Sequence, residues 1–210
     1  IRVIHNGIRL EEIQNVGPDM RASVRRTLGI EARRPVLGMI GRMHAVKGHR
    51  TLLNTMPQIV ASCPDVLLLL VGDGPERSAC EELVDRLGVR NSVMFLGSRT
   101  DVPQLLTATD LVLMPSHSEG LGLAAIEGLA AGKPVVAFNV GGLREVVSDG
   151  VNGRLVRPGD SAAFGQAVVE MIRDPARLAQ YSAAALRTAD RFSVEEHVRR
   201  LIDCYREAAS

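Results

Sequence analysis

The 210-residue sequence has no excess of either charge: 25 Lys and Arg against 24 Asp and Glu leave a formal net charge of +1. That balance excludes a chain-wide attraction for nucleic acid or an anionic membrane, so any anion site must be local. Cysteine is scarce. Cys63, Cys80 and Cys204 are odd in number, far apart and without paired metal-ligand spacing, and are expected to be buried free thiols in a reducing cytoplasm. The longest apolar run, "VLLLLVG" from Val66, falls far short of the roughly 20 residues of a membrane span, and no stretch reads as a signal peptide. The chain opens on Ile1, and "IRVIHNG" reads as a strand entering a turn with no earlier partner, as expected of a piece of a longer chain.

What is present is a hydrophobic content of 46%, enough for one domain with a sizeable core. Apolar runs near 35–41, 66–72, 92–97, 111–116, 134–138 and 153–156 read as strands hydrophobic on both faces. Helical stretches separate most of them, beginning near Lys47 and after Pro75, Asp101, Leu121 and Gly142. This alternation predicts a doubly wound α/β fold: a parallel, Rossmann-like sheet of about six strands with helices on both faces. Beyond Asp160 only helices are expected, over 161–172, 175–189 and 194–208, the last with Ser193 as N-cap and Glu196 completing a capping box. Its stripe of Val194, Val198, Leu201, Ile202 and Tyr205 needs a partner, and part of it is expected to be exposed.

Ligands of such sheets lie beyond the carboxyl ends of the strands, where four unusual loops fall. In "GRMHAVKGH", Gly41 frees the backbone while Arg42 and Lys47 supply two cations, either a diphosphate clamp or ordinary solvated charges. The glycine-rich run of a P-loop is absent. "VGDGPER" places Gly72 and Gly74 for close backbone approach, with Pro75 at the first helical position, but lacks the third glycine of a dinucleotide fingerprint. "FLGSRTD" brings Gly97, Ser98 and Arg99 to the edge, where a base can lie against the main chain, and Asp101 is expected to cap the next helix.

The fourth loop, "HSEGLGLAAIEGL", holds Glu119 outside a helix start, the amides of Gly120, Leu121, Gly122 and Leu123 facing the cleft, and Glu127 about 7 to 8 Å further along the axis. That separation prevents the two acids from serving one proton or metal. They are expected to grip different ends of an elongated ligand, with favourable helix-dipole placement as the plainer alternative. Of the five histidines, His44 and His117 fall within the candidate loops, and His5, His49 and His197 offer no better case for a ligand contact.

Together, "GRMHAVKG", "VGDGP", "EGLGLAAIE", "AGKPVVAFNVGGLREVV" and the preceding "HNGI" resemble the C-terminal, donor-binding domain of a GT-B glycosyltransferase of the large retaining family 4. The resemblance implies that Arg42 and Lys47 contact the donor diphosphate, Glu127 the ribose and Glu119 the sugar hydroxyls, with backbone donors from Gly120 to Leu123. Gly41, Gly72, Gly97, Ser98 and Arg99 would complete the nucleotide site. It further implies transfer with retention from a UDP- or GDP-type sugar, with no metal or other cofactor required, in polysaccharide or glycolipid synthesis. Residues 1–16 would be the link from a missing acceptor-binding domain, 17–192 the nucleotide-sugar domain and 193–210 a terminal helix. The expected setting is cytoplasmic, with no nucleic acid partner and peripheral contact at the inner membrane face left to the missing domain. Leu121 and Arg9 depart from the family's usual phenylalanine and aspartate. A nucleotide-sugar-binding or regulatory module without transfer, and a GT-B sugar-nucleotide epimerase, are the alternatives.

Overall fold

The computed structural model describes residues 3–209 and contains one six-stranded parallel sheet in the order β3-β2-β1-β4-β5-β6. The strands are β1 (Val36–Ile40), β2 (Leu67–Val71), β3 (Val93–Gly97), β4 (Leu111–Met114), β5 (Val135–Phe138) and β6 (Gly153–Val156). The four inner strands are buried along nearly their whole length, which is why they read as continuous apolar runs. Among the described residues ten α-helices accompany them: α1 (Glu11–Gln14), α2 (Met20–Thr27), α3 (His49–Ser62), α4 (Arg77–Arg86), α5 (Val102–Ala108), α6 (Leu123–Ala130), α7 (Leu143–Val146), α8 (Ser161–Arg173), α9 (Pro175–Ala189) and α10 (Val194–Ala209). They cover both faces, α3 packing on α4 and α8, α2 on α5, and α6 on α9.

The opening differs from the expected strand. Residues 1 and 2 lie outside the described residues, residues 3–7 have no strand pairing, and Ile8 makes one isolated bridge to Ser193. A strand needs a neighbour, and this segment finds the start of α10 instead: the His197 ring lies 2.7 Å from the His5 carbonyl. The helix α2 carries too few apolar residues to announce itself. It is tied down by Arg25, which is 3% exposed and whose guanidinium donates to the carbonyls of Glu31, Ala32, Arg34 and Ala108 and pairs with Asp110.

Smaller departures are local. Pro75 sits in a turn and α4 begins at Arg77. Only Cys80 is buried; Cys63 and Cys204 are half-buried, and all three thiols are free. Ser193 Oγ accepts from the Glu196 amide at 3.1 Å, but the Glu196 carboxylate turns to Arg199 and Arg200 instead of closing the box. The helix α10 buries no residue, and Val198, Ile202 and Tyr205 stand exposed along it.

Candidate functional site

Strand order fixes where a ligand can lie. After β3 the chain crosses back over β1 to place β4 on its other side, so the loops leaving β1 and β4 diverge and open a crevice between them. The two loops are latched at its base. The His117 amide donates to the Val46 carbonyl at 2.8 Å, and Gly48 approaches Pro115 so closely that a Cβ would lie 2.0 Å from the carbonyl oxygen.

To one side, the loops after β1, β2 and β3 are stitched through their backbones. The amide of Gly41 donates to Val71, Met43 to Asp73 and Gly72 to Gly97, at 2.8 to 2.9 Å. Gly72 has a φ of 134°, and a Cβ there would stand 2.0 Å from the Gly41 carbonyl oxygen, so glycine is required on both grounds. Above this floor lies a groove of about 450 Å³ lined by Gly41, Arg42, Gly72, Ser98, Arg99 and Val102. Arg42 is exposed there and makes no ion pair among the described residues. Arg99 is committed elsewhere, its guanidinium donating to both Asp101 oxygens at 2.7 and 2.6 Å. For that reason Asp101 occupies the N-cap position of α5 without capping it.

Across the crevice, Lys47 Nζ lies 2.8 Å from both Glu119 oxygens. The Glu119 side chain is 8% exposed and that of Lys47 30%. One expected clamp cation is therefore already engaged, by the acid expected to meet the sugar. The main chain of Glu119 is fixed from below by the Gly142 amide, which donates to its carbonyl at 3.1 Å. Gly122 then takes a left-handed conformation and α6 begins, with the amides of Gly120, Leu121 and Gly122 donating to no backbone acceptor among the described residues. Leu123 is also open to solvent. Oriented N–H groups at a helix start favour an anion.

Glu127 faces a second hollow, of about 310 Å³, that shares Val102 with the groove and is walled by Ile8, Arg9, Ile13 and Thr100. Burial raises its carboxyl above the usual carboxylate range, and no hydrogen-bond donor reaches it among the described residues. The contribution of residues 8–13 escaped the sequence reading, although the spacing of Leu10 and Ile13, both buried in the core, carries a helical signal. So did His49, which is 2% exposed with neither ring nitrogen partnered. Burial first, and Lys47 second, lower its pKa to about 4. His44 and His117 have local duties: His44 accepts from the Val46 amide at 3.4 Å, and His117 Nε2 lies 3.4 Å from Thr51 Oγ1.

Among the described residues no group of three or more His, Cys, Asp or Glu side chains is placed to hold a metal, and no helix is long and apolar enough to cross a membrane.

Residues 34–174 match the family described as "Glycosyl transferases group 1". The D-inositol 3-phosphate glycosyltransferase of Corynebacterium urealyticum is 33% identical over 98% of this chain and 51% of its own. Among solved structures, Anabaena Alr3699/HepE in complex with UDP superposes with a TM-score of 0.91 at 33% identity, over 98% of this chain and 57% of that one. Its complex with UDP-glucose gives a TM-score of 0.89. Sucrose-phosphate synthase from Thermosynechococcus elongatus has a TM-score of 0.87 at 32% identity, covering 100% of this chain and 53% of its own. The chain thus spans about half the length of the curated relatives it matches.

Proposed function

Since this chain belongs to the glycosyl transferases group 1 family, we propose that it is the half of a GT-B glycosyltransferase that holds a nucleoside-diphosphate sugar of UDP type. The observation that carries this reading is the convergence at one topological switch point of Arg42, Lys47, Glu119 and the free amides before α6. The diphosphate lies across the crevice against Arg42, Lys47 and those amides. The base rests over Gly97, Ser98 and Arg99, and Glu127 accepts from the ribose hydroxyls in the adjoining hollow.

In the retaining reaction the bond between the sugar's anomeric carbon and the diphosphate oxygen breaks while the acceptor oxygen bonds to that carbon on the same face. The acceptor's proton passes to the departing phosphate oxygen. Negative charge grows on the diphosphate, and Arg42, Lys47 and the helix amides offset it without a divalent cation. The acceptor is held by the other half of the protein, in a cytoplasmic setting.

Titration calorimetry with UDP, GDP, ADP and their glucose conjugates, run with a chelator, tests this. The uridine ligands are expected to bind better than their GDP and ADP counterparts. Arg42→Ala is expected to weaken UDP binding by about 1.5 to 3 kcal/mol, the worth of a hydrogen bond to a charged group. Glu127→Ala is expected to weaken UDP while sparing inorganic diphosphate. Binding that vanishes with chelator, or is indifferent to Arg42, refutes the assignment.

A further inference from the structure

We propose that Glu119 is an internal occupant of the diphosphate position and that, through Lys47, it makes the site discriminate the sugar-bearing donor from the bare nucleoside diphosphate. The inference rests on the functional reading above and deepens it. An ammonium group is a compact charge with three donors, and here two of its contacts go to one carboxylate, at 2.8 Å each. Such charge-assisted bonds are about twice as strong as neutral ones. Glu119 has no other hydrogen-bond partner for its carboxylate among the described residues, and it is nearly closed off from solvent. Lys47 therefore cannot turn to an incoming phosphate without stranding a desolvated carboxylate, which is costly.

What the ligand carries beyond its phosphates decides whether that cost is recovered. A sugar-bearing donor brings hydroxyls that can donate to Glu119 as Lys47 swings to the diphosphate. Both groups are then satisfied. A bare nucleoside diphosphate ends on acceptor oxygens where the sugar would stand, its ribose hydroxyls being engaged at Glu127, so it gains Lys47 and leaves Glu119 alone. The pair thus acts against the product once the sugar has departed, and re-forms as the nucleotide leaves. Main-chain hydrogen bonds, from the Gly142 amide to the Glu119 carbonyl and from the Lys47 amide to the His44 carbonyl, keep both side chains within reach of each other.

The test is calorimetry of this chain with UDP and UDP-glucose in four backgrounds: wild type, Glu119→Gln, Lys47→Met and the double variant. Glu119→Gln is expected to bind UDP about tenfold more tightly, the scale of one charge-assisted hydrogen bond, while binding UDP-glucose more weakly. The gain for UDP is expected to disappear when Lys47 is already methionine, because there is no pair left to break. An equal gain with and without Lys47 would show a general charge effect and overturn the proposal, as would no gain. Absence of any UDP binding by the wild-type chain would overturn the functional reading itself, and the inference with it. A structure of the unaltered chain with UDP needs no variant: Lys47 on the phosphates supports the proposal, and an intact Lys47–Glu119 pair overturns it.

Discussion

A histidine ring sealed from water with neither nitrogen partnered sets a limit on acid stability. In the unfolded chain His49 takes up its proton near pH 6.5; in the fold it does so only near 4. Between those values the unfolded state binds more protons, so the His49 contribution favours folding above pH 6.5 and is lost progressively as the pH falls toward 4. At about 1.36 kcal/mol per unit, the loss is on the order of 3 kcal/mol. Urea unfolding at pH 7 and pH 4.5 is expected to show a clearly smaller acid-induced loss for His49→Leu than for the wild type. Equal losses would mean the ring reaches water in solution.

At the scale of elements, the site is a set of loops held together by close backbone approaches that only glycine permits. A Cβ on Gly142 would stand 2.2 Å from the Gly120 carbonyl oxygen and 2.7 Å from Leu121 Cα, directly beneath the segment that carries Glu119. Gly142→Ala is therefore expected to cost about 1 to 3 kcal/mol in urea unfolding and to weaken UDP binding together with it. Gly150→Ala, at a φ of 75° with nothing near, is the comparison: it strains its own turn and is expected to leave UDP binding unchanged. The four inner strands were legible because each is a buried apolar run, and the half-buried edge strands β3 and β6 because turn residues bound their shorter apolar stretches. The helix α2 was not, because the buried guanidinium of Arg25 holds it and apolar periodicity does not register such a tie. Residues 3–7 were misread because the apolar pattern there fits a strand, while among the described residues no strand lies beside them. The separation of Glu119 from Glu127 followed from helical rise alone. The pairing of Lys47 with Glu119, 72 residues apart, could not, since only the return of the chain across β1 brings the two loops together.

On the proposed reading the whole molecule is a binding half, with its donor contacts on one contiguous body. It is expected to bind UDP in the presence of a chelator yet to transfer little sugar, because positioning donor against acceptor supplies roughly 7 to 11 kcal/mol of barrier reduction and requires a second wall. Turnover of labelled UDP-glucose by this chain alone, compared with the same chain joined to an acceptor-binding half, measures the difference. Efficient transfer by the chain alone would contradict the division of labour. The chain path adds a mechanical consequence. The Ile8 amide donates to the Phe192 carbonyl at 2.8 Å and the Val194 amide to the Ile8 carbonyl at 3.1 Å, so the two ends of the stretch 9–192 are fastened together, and the His5 ring meets Glu145 of α7 as a second tie. For protein engineers the same geometry marks a cassette: two cuts made side by side in space, before Ile8 and after Val194, would release one segment that carries Arg42, Lys47, Glu119 and Glu127 together.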